Sequence, residues 1–148
     1  MFPPRGPLLF ENVGNLRVPH TPPRSWATVG WPMSDTYDLF QQGRRHLRNG
    51  MPAQATVALE KAKRLEPDKA SIREALGIAY FRIHRYEEAE SEFRKMLELA
   101  PVDDYAHYAL GRCLEKQGRD MEANGHYKLA SSLRPGQADY ESRIRDLR

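Results

Sequence analysis

Three ladders of identical residues recur along this chain at one interval. Pro67, Pro101 and Pro135 lie 34 positions apart, as do Gly43, Gly77 and Gly111, and Ala55, Ala89 and Ala123. A fixed interval of this length marks a supersecondary unit that cannot bury its apolar face alone and must stack on copies of itself. Within the middle interval, residues 72–81 and 86–99 each place apolar side chains at three- and four-residue spacing, so each unit reads as two short amphipathic helices. The small Gly and Ala let those helices approach closely, and a large residue such as Phe93 or Tyr127 fills the space beside them. Each Pro cannot continue the helix before it and therefore closes the unit.

These residues resemble the tetratricopeptide repeat family. Leu76, Gly77, Tyr80, Ala89, Phe93 and Pro101 fill its pattern in the second repeat, and Leu110, Gly111, Leu114, Ala123, Tyr127, Ala130 and Pro135 nearly fill it in the third. The first repeat keeps Leu39, Gly43, Ala55, Leu59, Ala62 and Pro67, but has Gln42 and His46 where the family has Leu and Tyr. The family's early Trp is replaced by Leu39, Arg73 and His107. The resemblance implies an all-α fold, a right-handed superhelix of three hairpins over about 36–69, 70–103 and 104–136. A capping helix is expected over 137–148, where Tyr140, Ile144 and Leu147 fall at helical spacing.

Local signals refine this outline. The first hairpin is expected over 34–49 and 52–65, with Asn49-Gly50 as its stop and Pro52 in the first turn of the next helix. Asp68 is expected to cap the second hairpin, which turns at His84-Arg85, and the third runs from about Asp103 and turns at Gln117-Gly118. Glu87, Glu88, Glu90 and Glu92 read as a solvated acidic face supported locally by Arg94 and Lys95.

Residues 1–33 differ in kind. They hold seven of the eleven prolines and show no sustained period, so they read as a disordered Pro-rich tail. Their large apolar residues, among them Phe10, Trp26 and Trp31, leave docking on the repeat body open, and Met33 followed by Ser34 and Asp35 offers a second start for the protein. PxxP spacings at Pro4–Pro7 and Pro19–Pro22 are cheap matches in such a segment.

Composition restricts function. Of the net charge of +3, the tail carries +2, from Arg5, Arg17 and Arg24 against Glu11, which leaves +1 for the body. A near-neutral body lacks the dense basic stripe of a nucleic-acid binder. No run is long enough for a membrane span or a signal-peptide core, and a cytoplasmic setting is expected. The single Cys113 excludes an internal disulfide and, on an apolar helix face, reads as a small buried hydrophobe. Phosphate-loop, zinc-protease and nucleophile-elbow spacings are all missing, so no enzymatic activity, cofactor or metal is expected.

The family resemblance implies a concave groove lined by the first helix of each repeat, which takes an extended peptide or a partner helix. The matching positions are Tyr37, Phe40, Arg44, Leu47 and Arg48, then Ser71, Glu74, Ile78, Phe81 and Arg82, then Tyr105, Tyr108, Arg112, Glu115 and Lys116. Aromatic and Arg side chains are interface anchors. They suit a protein partner with an acidic or amphipathic segment, which makes the chain an adaptor or scaffold. Binding of single-stranded RNA, or self-association as a structural protein, are the alternatives. The family's carboxylate clamp for chaperone C-termini would fall on Phe40, Arg44, Ala75, Tyr105 and Ala109, of which only Arg44 is a cation.

Overall fold

The computed structural model describes residues 35–146, and within them there are seven helices and no strand. They are α1 (Asp35–Arg48), α2 (Pro52–Leu65), α3 (Ala70–Arg82), α4 (Tyr86–Leu99), α5 (Asp104–Lys116), α6 (Asp120–Leu133) and the single turn α7 (Ala138–Glu141). The first six pair as antiparallel hairpins α1–α2, α3–α4 and α5–α6, which stack in a superhelix with α2 against α3 and α4 against α5. The readings made for residues 1–33 lie outside the described residues.

The ladders explain the packing. A Cβ added at Gly43 would lie 2.4 Å from Leu59, at Gly77 2.7 Å from Phe93, and at Gly111 2.6 Å from Tyr127. Each hairpin is thus closed by one glycine on its first helix and one large side chain on its second. Ala55, Ala89 and Ala123 are buried beside these contacts, and Leu76, Leu110, Met96 and Cys113 fill the continuous core between repeats. Burial pushes the Cys113 thiol up.

The turns also repeat. Gly50, His84 and Gly118 stand at corresponding positions with φ of 70°, 62° and 77°. A histidine therefore occupies a left-handed conformation that its two counterparts give to glycine.

Three expectations change in the structure. Asp68 does not cap the second hairpin: α3 begins one residue later than Asp68 would require, behind Lys69, and no side chain caps it. In the third hairpin the counterpart of Lys69 is Asp103, whose carboxylate accepts from the Ala106 amide at 3.0 Å. The acidic face of α4 is not simply solvated. Glu92 is buried and accepts from Lys63 at 2.9 Å and Arg73 at 2.8 Å, reaching back to the first hairpin. Glu90 faces forward, taking Gln117 at 2.9 Å and Arg119 at 3.0 Å beside Arg94 at 2.7 Å. Burial raises the Glu90 carboxyl, but its bonds to Gln117 and Arg94 outweigh that and hold it below the usual carboxylate range.

The end of the chain differs most. Of the helix expected over 137–148, the described residues form the one turn of α7, and residues 142–146 run on without helix. Asn124 binds this strap at both backbone groups of Arg145, donating to its carbonyl and accepting from its amide, each at 2.8 Å. Tyr140 is buried, stacks on Tyr108 at 4.9 Å and donates to Asp104 at 2.7 Å. An asparagine that supplies its own donor and acceptor can hold a non-helical segment at both of its backbone groups.

Candidate interaction face

The first helices α1, α3 and α5 adjoin one another, because side chains on each reach the next. Arg82 of α3 donates to the Leu47 carbonyl of α1 at 2.9 Å, and the Arg112 guanidinium of α5 lies 5.5 Å from the centroid of Phe81 on α3. A helix presents every third or fourth residue to one side, which is why residues seven apart such as Phe81 and Glu74, or Tyr105 and Arg112, share a face.

The expected face residues fall into two groups. In the first repeat, Arg44 sits over the Phe40 ring at 5.8 Å, with Tyr37 and Leu47 half-buried beside them and Arg48 exposed. Across repeats two and three, Phe81, Tyr105, Tyr108 and Arg112 form one cluster. Phe81 meets Tyr86 edge-on at 5.2 Å, Tyr105 and Tyr108 are 6.5 Å apart, and Arg112 donates to the Tyr108 hydroxyl at 3.3 Å. Glu74 is 3% exposed and Arg112 5% exposed, while Ile78 is half-buried.

Several of these side chains are structural as well as superficial. Arg82 fastens the C-terminal end of α1, where backbone carbonyls lack helical partners. Tyr108 is sandwiched by Tyr127 at 5.9 Å and Tyr140 at 4.9 Å. Glu115 gathers the strap, accepting from Tyr127 at 2.9 Å and pairing with Arg145 at 2.9 Å and Arg143 at 3.4 Å. That role was not legible in the sequence, since the partners are 12, 28 and 30 residues away. Lys116 and Ser71 lie at the edges, exposed and half-buried respectively.

No three His, Cys, Asp or Glu side chains among the described residues are gathered to hold a metal, and no described helix is long and apolar enough to cross a membrane.

Comparisons with known proteins agree with this fold. The profile described as tetratricopeptide repeat matches residues 46–113. Superkiller complex protein 3 of Mus musculus is 30% identical over 95 residues, covering 64% of this chain and 6% of that protein. The chain spans less than a tenth of the length of the curated relatives it matches. Among solved structures, that of MamA has a TM-score of 0.71 at 26% identity, covering 74% of this chain and 64% of the other. The first repeat domain of Spaghetti (RPAP3), bound to the HSP90 peptide SRMEEVD, shares the fold with a TM-score of 0.71 at 20% identity, over 75% of this chain and 88% of that one.

Proposed function

Given that this chain belongs to the tetratricopeptide repeat family, whose domains are protein-interaction modules, we propose that it is an adaptor or scaffold whose first-helix face binds an acidic or amphipathic segment of a partner protein. The observation that carries this reading is the line of guanidinium and aromatic groups across α1, α3 and α5, with Arg44 over Phe40 and Arg112 over Phe81. Arginine and aromatic side chains supply most of the binding energy at protein interfaces. Positive rims steer acidic partners and fix their register. Arg44 and Arg48 are the residues of this set that stand outside the packed cluster of repeats two and three.

The relative that holds SRMEEVD gives a sharp comparison. Of the five clamp positions in this chain only Arg44 can grip a carboxylate, so its ligand is not expected to be a free acidic C-terminus. The test uses the full chain and its Arg44→Glu/Arg48→Glu variant as baits in native lysate, with the peptide SRMEEVD titrated separately. Proteins retained by the first bait and lost from the second support the reading. Equal retention by both removes the face from consideration, and saturable binding of SRMEEVD would replace an internal segment with a C-terminal one.

A further inference from the structure

A pair of histidines, separate from the interaction face, occupies a position that is an ion pair in the preceding repeat. In the second hairpin, Arg73 of α3 donates to the Pro67 carbonyl at 2.8 Å and to Glu92 of α4 at 2.8 Å. One interval later, His107 of α5 lies 3.0 Å from the Pro101 carbonyl through Nε2 and 3.1 Å from Nδ1 of His126, on α6, through Nδ1. Each residue is 34 positions from its counterpart, so the same fastening between hairpin helices is made once with fixed charges and once with two imidazoles.

The protons of this pair follow from its geometry. A carbonyl only accepts, so Nε2 of His107 carries hydrogen. In the neutral ring Nδ1 is then bare, and Nδ1 of His126 must donate to it. The two planes are 25° apart with centroids separated by 5.4 Å, so with nitrogens at 3.1 Å the rings meet edge to edge. One added proton fits, on the outer nitrogen of His126. A second has only Nδ1 of His107 to go to, where it would point an N–H at an N–H.

We propose that His107 and His126 form an acid-sensitive latch between α5 and α6, closed by one N–H···N bond and opened when both rings are charged. Around His126 stand Arg94 and Glu90 of α4 and Glu122 of α6. Burial first, then His107 and Arg94, push its imidazole below the ordinary histidine value, against the pull of Glu122 and Glu90. The sign follows. In the unfolded chain both rings take protons as pH falls through the ordinary histidine range, while the folded latch refuses at least one, so the stability it contributes is complete above that range and declines below it. The folding constant falls about tenfold per pH unit for each proton refused. Because α5 also carries Tyr105, Tyr108 and Arg112, opening the latch loosens one wall of the interaction face.

The test transplants the second repeat's solution into the third. Urea unfolding of the full chain and of its His107→Arg/His126→Glu variant is followed from pH 7.5 to pH 5.5, a window within which every other histidine is common to both proteins. The wild type should lose stability on acidification, and the variant should lose distinctly less. Equal slopes overturn the latch. Nitrogen-15 spectra of the wild-type histidines provide a reading that does not depend on the variant's folding. A protonated Nδ1 on one ring and a bare Nδ1 on the other are expected at neutral pH, and two rings that titrate independently at ordinary values would overturn the proposal.

Discussion

Replacing Gly111 with alanine tests whether close helix approach is what the glycine ladder provides. The new Cβ would stand 2.6 Å from Cε1 and 2.8 Å from Cδ1 of Tyr127, and 3.2 Å from the Ala123 carbonyl oxygen. The backbone oxygen cannot move without displacing α6. Nor can the ring swing away: Tyr127 is 2% exposed, its hydroxyl is held by Glu115 at 2.9 Å, and Tyr108 lies 5.9 Å away. The strain should therefore reach the upper end of the range for overpacking, about 3 kcal/mol. Alanine is the better helix former by about 0.5 to 1 kcal/mol, which leaves a net loss of about 2 kcal/mol. Gly125 supplies the control. It lies within α6, is exposed, and a Cβ there meets nothing within 4 Å, so Gly125→Ala should gain about 0.5 to 1 kcal/mol. Urea denaturation followed by circular dichroism reads both, and the midpoints should move in opposite directions with the slope unchanged. If Gly111→Ala matched the control, the account of the ladder as a steric device would be wrong.

Three further substitutions follow from comparing one repeat with another. Lys69→Asp places at the head of α3 the cap that Asp103 gives α5, and should raise stability by about 1 kcal/mol in the same denaturation assay. His84→Gly should raise the thermal midpoint by relieving a φ of 62°, with a gain of about 0.5 to 1 kcal/mol that is partly offset by loss of the 2.5 Å contact to Tyr86. Asn124→Ala removes both bonds to the Arg145 backbone; it should cost about 1 to 2 kcal/mol and speed hydrogen exchange at the Arg145 amide, and unchanged exchange would show that the strap is held by other means.

What could be read directly from the sequence was whatever recurs. Gly43, Gly77 and Gly111 with Leu59, Phe93 and Tyr127 announce the hairpins because steric fit depends on residue size at a fixed interval, and size is visible in one letter. Helix stops at Gly50, Gly118 and the three prolines were legible for the same reason. Partners across helices were not. Glu90 and Glu92 are near neighbours in sequence yet bind opposite hairpins, and nothing local distinguishes them from the solvated Glu87. Periodicity alone extended the last helix through Ile144 and Leu147, whereas Asn124, far upstream, holds the backbone of Arg145 where residues 142–146 are not helical. On the interaction face, the positions of Phe81, Arg112 and Tyr108 could be listed from the pattern, but the approach of Arg112 to Phe81 required α3 and α5 to lie side by side.

The division of labour between Glu92 and Glu90 makes the stack unequal along its length. The cations that Glu92 holds are 22% and 14% exposed, so the junction of the first and second hairpins is sheltered from dissolved ions. Those on Glu90 are 41% and 43% exposed, close to bulk solvent. Mobile salt weakens exposed pairs far more than covered ones. Rising ionic strength should therefore weaken the ion pairs that join the second and third hairpins before those that join the first and second.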